Sequence, residues 1–232
     1  MTLTLLLGCG GAPEYDVVIR NGAIYDGSGG APYVGDIAIT NGRIAYLGSG
    51  QPLHGKTEID ATGLAVAPGF INILSWAGES LIQDGRSQSD IRQGVTLEVF
   101  GEGESMGPLN PAMKEEMRAQ QRDYKYEIGW TTLGEYLEFM EQKGVSTNIA
   151  SLVGATTVRV HELGYEDRPP TPEELDRMKA LVRQAMEEGA LGVGSSLIYA
   201  PAFYAGTDEL IELCKVASEY GGIYASHLRS EG

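Results

Sequence analysis

Apolar and polar positions alternate along the first quarter of the chain with the period of two that is typical of β-strands. Two pairs of alternating runs occur, residues 16–20 with 23–25 and residues 36–40 with 43–47. Asn-Gly separates the runs of each pair, at Asn21-Gly22 and at Asn41-Gly42, and is a strong signal for a two-residue hairpin turn. The pattern predicts a small β-sandwich unit over residues 15–65, containing two hairpins.

Beyond residue 63 the alternation stops, and continuous apolar runs alternate with segments of helical period. Such runs are typical of strands covered on both faces. Strands are predicted over residues 64–74, 95–100, 148–153, 190–194 and 222–227. Helices are predicted over residues 80–92, 111–122, 132–143, 171–188 and 207–220. The best-defined helix start is Thr171-Pro172-Glu173-Glu174, a capping box with proline at the first helical position.

Strands that alternate with helices predict a parallel sheet with helices packed outside it. We therefore expect an α/β fold in which residues 66–232 form an incomplete (β/α)8 TIM-type barrel of about five strands. A complete barrel typically needs ~250 residues, so three βα units would be missing and the chain would be the N-terminal part of a larger enzyme. The alternative is a doubly wound open sheet, but no G-x-G-x-x-G motif follows the first strand.

The formal net charge of −15 argues against nucleic-acid binding, which needs basic patches. The two cysteines, Cys9 and Cys214, provide neither a disulfide framework nor a C-x-x-C metal site. No G-x-S-x-G motif is present, so the nucleophile signature of a serine hydrolase is missing.

The start of the chain, residues 1–14, is predicted to be a lipoprotein signal remnant and linker. Leu6-Leu7-Gly8-Cys9 resembles a bacterial lipobox, in which the cysteine is acylated. No Lys or Arg precedes the apolar run, and the run is shorter than an ordinary signal, so an apolar start without a role is the alternative. The lipobox predicts an extracytoplasmic protein, either periplasmic or anchored to the membrane through Cys9. The run is too short for a membrane-spanning helix, which needs ~20 residues.

His227 stands at the end of the last predicted strand. The carboxyl ends of barrel strands carry the catalytic residues of this fold, and a neutral imidazole is the commonest side-chain metal ligand. The position therefore favours a metal-dependent enzyme. The alternative is a buried histidine that bonds to the backbone.

Several phrases resemble the amidohydrolase superfamily, and within it the N-acyl-D-amino-acid deacylases. They are Ala-Pro-Gly-Phe-Ile-Asn at 67–72, Arg-Gln-Gly-Val-Thr at 92–96, Asn-Ile-Ala-Ser-Leu-Val-Gly at 148–154 and Tyr-Ala-Ser-His-Leu-Arg at 224–229. The resemblance implies one or two zinc ions at the carboxyl face of the barrel, where metal-activated water attacks an amide carbonyl. It also implies a small-molecule substrate, an N-acyl-D-amino acid or related amide.

Three departures from the superfamily pattern concern the metal site. Leu74-Ser75-Trp76 replaces the usual His-x-His of the first strand, and Val153-Gly154-Ala155 replaces the usual Val-Gly-His of the third strand. The second strand ends in Gly101-Glu102-Gly103-Glu104, where the deacylase-like group has a metal-bridging cysteine. The resemblance therefore implies either a rebuilt metal site or a catalytically degenerate one.

The predicted metal ligands are His227, Glu102 and Glu104, since zinc accepts carboxylate oxygen as well as nitrogen and sulfur. One zinc ion is expected rather than two. Glu98 is a weaker candidate, and the two glutamates after it could instead belong to an acidic surface loop. The usual catalytic aspartate of the last barrel strand is not in this chain.

Two further residues are predicted to contact the substrate. Tyr199 is a candidate through the resemblance alone. Arg229 could pair with a substrate carboxylate, or it could be a structural ion-pair partner. His54 and His161 are expected in polar surface loops. The rival to an enzyme is a catalytically degenerate barrel that acts as a surface-anchored binding lipoprotein, which the loss of the first-strand histidines favours.

Overall fold

A computed structural model describes residues 14–121 and 123–232. The chain divides into two compact units, one ending at Pro68 and one spanning Gly69–Gly232. Cys9 lies outside the described residues, so its acylation stays a prediction. Within the described ranges, no helix has the length and apolar character needed to cross a membrane.

The first unit is built on a single five-stranded sheet. Its strands are β1 (Glu14–Ile24), β2 (Tyr33–Thr40), β3 (Arg43–Gly48), β4 (His54–Asp60) and β5 (Ala65–Val66). They lie in the order β3-β2-β1-β4, and β5 also pairs with β1. The pairs β1–β2 and β2–β3 are antiparallel, whereas β4 and β5 run parallel to β1. A small buried cluster of Val18, Ala38 and Leu53 holds this unit together.

The two Asn-Gly pairs have different structures. Asn41 and Gly42 have φ angles of 51° and 69° and join β2 to β3, as a two-residue hairpin turn requires. Asn21-Gly22 makes no turn, so the first predicted hairpin was wrong. β1 continues through it with a shift of register against β2, which is a β-bulge. The Asn21 N–H donates to Asp36 Oδ1 at 2.9 Å. This side-chain bond replaces the strand-to-strand hydrogen bond that the bulge interrupts.

Residues 50–57 read Gly-Gln-Pro-Leu-His-Gly-Lys-Thr, which matches the spacing of a phosphate-binding loop. That motif works only between a strand and the helix that follows it. Here its second half is the beginning of β4, and the next element is β5. Lys56 Nζ lies 2.8 Å from Asp16 Oδ1, so the lysine is part of a surface ion pair. His54 begins β4 and does not lie in the predicted loop.

The second unit alternates strands and helices. Its elements are β6 (Phe70–Asn72), α1 (Ser80–Gln83), α2 (Gln88–Ile91), β7 (Val95–Phe100), α3 (Pro111–Gln120), α4 (Leu133–Lys143), β8 (Asn148–Ser151), β9 (Val153–Gly154), α5 (Ala155–Leu163), α6 (Pro172–Glu187), β10 (Gly192–Ser196), a 3₁₀ turn (Ala202–Tyr204), α7 (Thr207–Glu219) and β11 (Ile223–His227).

The strands of this unit are parallel neighbours in chain order. β6, β7 and β8 form one run, and β9, β10 and β11 form another. β8 and β9 are two parts of one extended segment, separated only by Leu152. Five segments thus follow one another around the sheet, with helices between them. This arrangement confirms the predicted α/β class and the partial barrel.

The helices pack their apolar faces on the sheet. Met178 and Val182 of α6 and Leu213 of α7 are fully buried with Val153 and Val193 of the strands. The predicted capping box at the start of α6 is confirmed, because Thr171 Oγ1 accepts from the Glu174 N–H and the Glu174 carboxylate accepts from the Thr171 N–H. Thr132 and Glu135 form a second capping box before α4.

Two predicted elements are broken in the structure. The helix over 80–92 is two short helices, because Ser87 takes a left-handed φ of 44° and its hydroxyl donates to buried Glu98 at 2.6 Å. The strand over 64–74 is interrupted at Pro68, so that its first half pairs with β1 and its second half is β6. β6 lies at the edge of its sheet, and Ile71 is 61% exposed, so this strand is not covered on both faces.

Helix α5 was not predicted, because its sequence Ala-Thr-Thr-Val-Arg-Val-His-Glu-Leu is rich in β-branched residues that disfavour isolated helices. Tertiary contacts override that preference, since most of its residues are buried. His161 lies in this helix, half-buried, with Nδ1 at 2.9 Å from Glu162. Its predicted place in a polar loop was therefore wrong.

Candidate active site

The loop after β7 lies across the ends of β9 and β10. Gly101 and Gly103 in this loop have left-handed φ angles of 92° and 89°, which side chains rarely adopt. A Cβ on Gly154 of β9 would overlap the Gly103 carbonyl, and a Cβ on Gly194 of β10 would overlap the Gly101 carbonyl. Glycines on both sides therefore allow main chain to pack on main chain, which fixes the positions of Glu102 and Glu104 between them.

Ser196 connects this loop to the strand that ends in His227. Its hydroxyl donates to the Glu102 carbonyl at 2.9 Å. Ser196 is also the register partner of His227 between β10 and β11. The main chain of Glu102 and the end of β11 are therefore both adjacent to one serine, as the barrel geometry predicts for strand-end residues.

His227 has two side-chain neighbours. Its Nε2 lies 3.2 Å from Glu231 Oε1, and its ring stacks on Tyr199 with centroids 5.6 Å apart. The imidazole remains 27% exposed, so a ligand can reach it from solvent. Tyr199, predicted to contact the substrate, is thus placed beside the predicted metal ligand.

Arg229 is held by the main chain. Its guanidinium donates to the carbonyls of Phe203 and Ala205 at 2.8 and 2.9 Å and lies over the Phe203 ring. These bonds attach the segment after β11 to the 3₁₀ turn. Its predicted pairing with a substrate carboxylate stays a prediction, and the observed contacts match the structural alternative.

The side chains of Glu102 and Glu104 line a cavity of about 380 Å³. The cavity lies at the carboxyl ends of β6 and β7 and is closed on its other sides by α3, α5 and the segment reaching Tyr165. Although Glu104 keeps contact with solvent at the cavity mouth, the surrounding protein raises the pKa of its carboxyl group, and the negative charge of Glu116 raises it further.

The carboxylate of Glu116 is hydrogen-bonded by a tyrosine. Tyr165 donates its hydroxyl to both carboxylate oxygens of Glu116, at 2.8 and 2.7 Å. Burial, followed by this hydrogen bond, raises the pKa of Tyr165 to about 12, so the phenol stays a donor at neutral pH. No signal in the sequence identified Glu116 or Tyr165, because they come from separate elements that only the fold brings together.

Glu98, the weaker metal candidate, is fully buried in a hydroxyl cage. It accepts hydrogen bonds from Ser75, Ser87 and Thr147 at 2.7, 2.6 and 3.0 Å. Three donors from three segments satisfy the carboxylate inside the protein. The contacts therefore give Glu98 a structural role, joining β6, α2 and β8 to β7.

The donor types at the strand ends fit zinc, since imidazole and carboxylate are both zinc ligands. The set is incomplete: within residues 14–121 and 123–232, no three His, Cys, Asp or Glu side chains converge on one point. Leu74 and Trp76, at the positions of the usual histidine pair, offer no donor nitrogen that binds metal. The described residues alone therefore form at most part of a metal site.

The fold is that of an amidohydrolase-type barrel, and comparisons with known proteins agree. A D-aminoacylase from Alcaligenes xylosoxydans xylosoxydans is 33% identical over 222 residues, covering 94% of this chain and 45% of the relative. An N-acyl-D-aspartate deacylase from the same organism is 34% identical, covering 94% of this chain and 44% of the relative.

A solved structure shows the same similarity in three dimensions. N-acyl-D-glutamate deacylase from Bordetella bronchiseptica, complexed with zinc and a phosphonate inhibitor, superimposes with a TM-score of 0.79 at 28% identity, over 94% of this chain and 46% of that one. No family model matches the chain. The chain belongs to the family of D-aminoacylases and N-acyl-D-amino-acid deacylases, and it spans a little under half the length of these curated relatives.

Proposed function

We propose that the whole protein containing this chain is a metal-dependent deacylase that hydrolyses the amide bond of an N-acyl-D-amino acid. The observation that carries the proposal is that Ser196 contacts both candidate segments: it bonds to the Glu102 carbonyl and pairs with His227. Both segments lie at the carboxyl end of a barrel whose relatives include deacylases. The proposed substrate is a small molecule, and no nucleic acid is involved.

Zinc is the proposed cofactor. One ion is proposed rather than two, because the histidine pair of the first strand is missing. His227 would hold it, together with Glu102 or Glu104 and ligands from outside the described residues. Glu102 is the preferred second ligand, because its main chain is bonded to the register partner of His227. When bound, zinc would polarise the substrate carbonyl and lower the pKa of a bound water to about 7.

The residues of this chain then have positioning roles. The close glycine contacts under the loop hold the main chain of Glu102 beside β9 and β10. Glu231 Oε1 lies 3.2 Å from His227 Nε2, so it must move aside when that nitrogen binds a metal. Tyr199 covers one face of the imidazole and limits the directions from which a substrate approaches.

The stereochemistry of the substrate provides the direct test. The purified whole protein, loaded with zinc, should release acetate from N-acetyl-D-leucine and leave N-acetyl-L-leucine largely intact. Removal of the metal with a chelator should abolish the reaction, and zinc should restore it. Equal hydrolysis of both enantiomers, or full activity in the chelator, would contradict the proposal.

The rival function is a binding lipoprotein without catalysis, and the observation that favours it is the absence of metal-binding side chains at Leu74 and Trp76. The two functions differ in metal content. A purified whole protein that retains no zinc, nickel or manganese and hydrolyses no N-acyl amino acid would favour the binding protein.

We also propose that the protein is exported and anchored through an acylated Cys9, on the basis of the lipobox-like Leu6-Leu7-Gly8-Cys9. The whole protein should fractionate with membranes, and Cys9→Ala should release it into the soluble fraction. Cys214→Ala is the matched control, since this half-buried thiol packs against the core of the second unit. Soluble wild-type protein would contradict the anchor.

A further inference from the structure

The cavity behind the β7 loop carries an unbalanced charge. Four carboxylates line it, those of Glu79, Glu102, Glu104 and Glu116, and its described lining contains no Lys, Arg or His. Glu79 accepts a hydrogen bond from Tyr126, and Glu116 accepts from Tyr165. Among the described residues, Glu102 and Glu104 have no side-chain hydrogen bond or ion pair. The cavity therefore presents acceptors for a positive group.

A second observation also points to a ligand. Thr156 lines the cavity and is buried, with 5% of its surface exposed. Its hydroxyl oxygen has no hydrogen-bond partner among the described residues. Buried hydroxyl groups in proteins are almost always hydrogen-bonded, so this oxygen lacks a partner that a ligand N–H could supply.

The remaining walls decide what kind of cation fits. Met106, Met113, Met117 and Leu109 give the cavity apolar sides, and Trp76 and Tyr165 add aromatic rings. Methionines fill irregular spaces around apolar groups, and aromatic faces attract organic cations. A volume of about 380 Å³ is that of a small-molecule pocket and far exceeds a single ion.

We propose that this cavity binds a positively charged organic group, an ammonium or guanidinium on a short apolar stem, with Glu104 as its principal partner and Thr156 as a hydrogen-bond acceptor. Resting on the deacylase function proposed above, we further assign this group to the substrate: the side chain of a basic N-acyl amino acid. Glu102 lines the cavity, and its carbonyl accepts a hydrogen bond from Ser196, the register partner of His227, so the cavity and the proposed reaction centre have Glu102 in common.

The assignment implies a different specificity from that of relatives named for acidic substrates. An N-acyl-D-aspartate deacylase must accept a side-chain carboxylate. In the present cavity a carboxylate would face four glutamates, and like charges in a partly buried site repel strongly. Basic side chains are favoured and acidic ones are rejected.

Direct binding tests the cavity without any turnover. In calorimetric titrations of the whole protein at low salt, pentylammonium should bind at least about 10-fold more tightly than pentan-1-ol, with a Kd of about 1 mM or below. Glu104→Gln should weaken pentylammonium about 10-fold, whereas Glu138→Gln, an exposed glutamate on α4, should change nothing. Equal affinities for the amine and the alcohol would overturn the proposal.

Two further measurements separate the alternatives for the same residues. Thr156→Val should weaken pentylammonium binding about 3-fold, since the hydroxyl oxygen accepts a hydrogen bond from the ammonium group. With Glu102 as the second zinc ligand, as preferred above, Glu104 belongs to the cavity alone, and Glu104→Gln should retain the zinc content of the wild type. If Glu104→Gln loses zinc, or if zinc displaces pentylammonium from the wild type, Glu104 is a metal ligand and the organic-cation site is wrong.

The substrate assignment has its own readout. The value of kcat/KM should be at least about 10-fold higher for N-acetyl-D-lysine than for N-acetyl-D-glutamate, and Glu104→Gln should reduce that ratio mainly through KM. Hydrolysis of N-acetyl-D-leucine without amine binding would refute the cavity site and leave the deacylase function standing. Amine binding without any hydrolysis would refute the deacylase function and leave the cation site standing.

Discussion

The Ser196 hydroxyl donates a hydrogen bond of 2.9 Å to the main-chain carbonyl of Glu102. This bond ties the loop after β7 to β10 at the residue that pairs with His227. It therefore joins the two segments that carry the proposed metal ligands. The same loop forms one wall of the acidic cavity, so its position affects both proposed sites.

The close packing of this loop predicts a large effect of Gly194→Ala. The added Cβ would overlap the main chain of Gly101, which cannot move as a flexible side chain would. Steric overpacking of this kind costs about 1–3 kcal/mol of unfolding free energy, and the displaced Glu102 should lower kcat/KM. Denaturant unfolding and the deacylase assay provide the measurements.

Gly129→Ala is the matched control for that substitution. Gly129 is exposed, and a Cβ there meets nothing within 4 Å. The control should stay within about 0.5 kcal/mol of the wild type. Equal stability of the two alanine variants would show that the glycine contact does not position the loop.

A buried ion pair between α5 and α7 predicts a second effect on stability. Arg159 Nη1 lies 2.7 Å from Glu209 Oε2, and both side chains are almost fully buried. Burial raises the pKa of Glu209 against the opposing effect of Arg159. Arg159→Met leaves that carboxyl group buried without its partner and should cost about 3–5 kcal/mol of unfolding free energy.

The double variant Arg159→Met with Glu209→Leu should recover much of that loss, because neither charge is then left buried. The recovery should be incomplete, since Arg159 also donates to the carbonyls of Glu166 and Arg168. Arg118→Met, at an exposed ion pair with Glu115, should cost less than about 1 kcal/mol. Chemical denaturation of the four proteins tests the order.

The raised pKa of Glu104 predicts a pH-dependent effect. Its folded-state pKa lies above the ordinary value of 4.5, because burial and Glu116 disfavour the charged form. The group therefore stabilises the protein most when it is protonated, and this contribution is lost as the pH rises through 4.5 and then through the folded pKa.

Glu104→Gln should accordingly raise Tm at about pH 7 and change it little at about pH 3.5. Glu138→Gln should change Tm little at either pH, because an exposed carboxylate has similar surroundings in the folded and unfolded states. A lower Tm for Glu104→Gln at neutral pH would mean that a cation or metal already balances the charge in the isolated protein.

The apolar edge at β6 predicts the behaviour of the 232-residue chain when it is expressed alone. Phe70 and Ile71 are each 61% exposed, and Trp76 is 63% exposed. Exposed apolar sheet edges pair with other chains, so the chain should dimerise or aggregate in size-exclusion chromatography. Ile71→Lys should reduce association, whereas Val34→Lys, exposed in the first unit, should not. A clean wild-type monomer would contradict this prediction.

Short sequence motifs predicted the helix start and the hairpin turn that depend on neighbouring residues alone. The Thr171 capping box predicted the start of α6, and Asn41-Gly42 predicted its hairpin. Asn21-Gly22 carries the same signal but forms a bulge, because both halves of β1 pair with the same strand. The break of the 80–92 helix at Ser87 depends on the buried Glu98, a contact that no local pattern contains.

The candidate site was predictable only in part. Strand-end position and family resemblance indicated His227 and the two glutamates of the β7 loop. The pairing of Ser196 with Glu102, and the gathering of Glu104, Glu116 and Thr156 around one cavity, depend on segments far apart in the chain. Periodicity and spacing carry no information about such contacts.

The zinc content of a His227→Ala variant of the whole protein decides whether His227 holds the metal. The wild type should carry zinc and hydrolyse N-acetyl-D-leucine, and His227→Ala should lose both. His161→Ala, which removes the half-buried histidine of α5, and Glu98→Gln, in the hydroxyl cage, should both retain zinc. Full zinc occupancy in the folded His227→Ala protein would contradict the proposed metal site, because the ion would then be held by other residues.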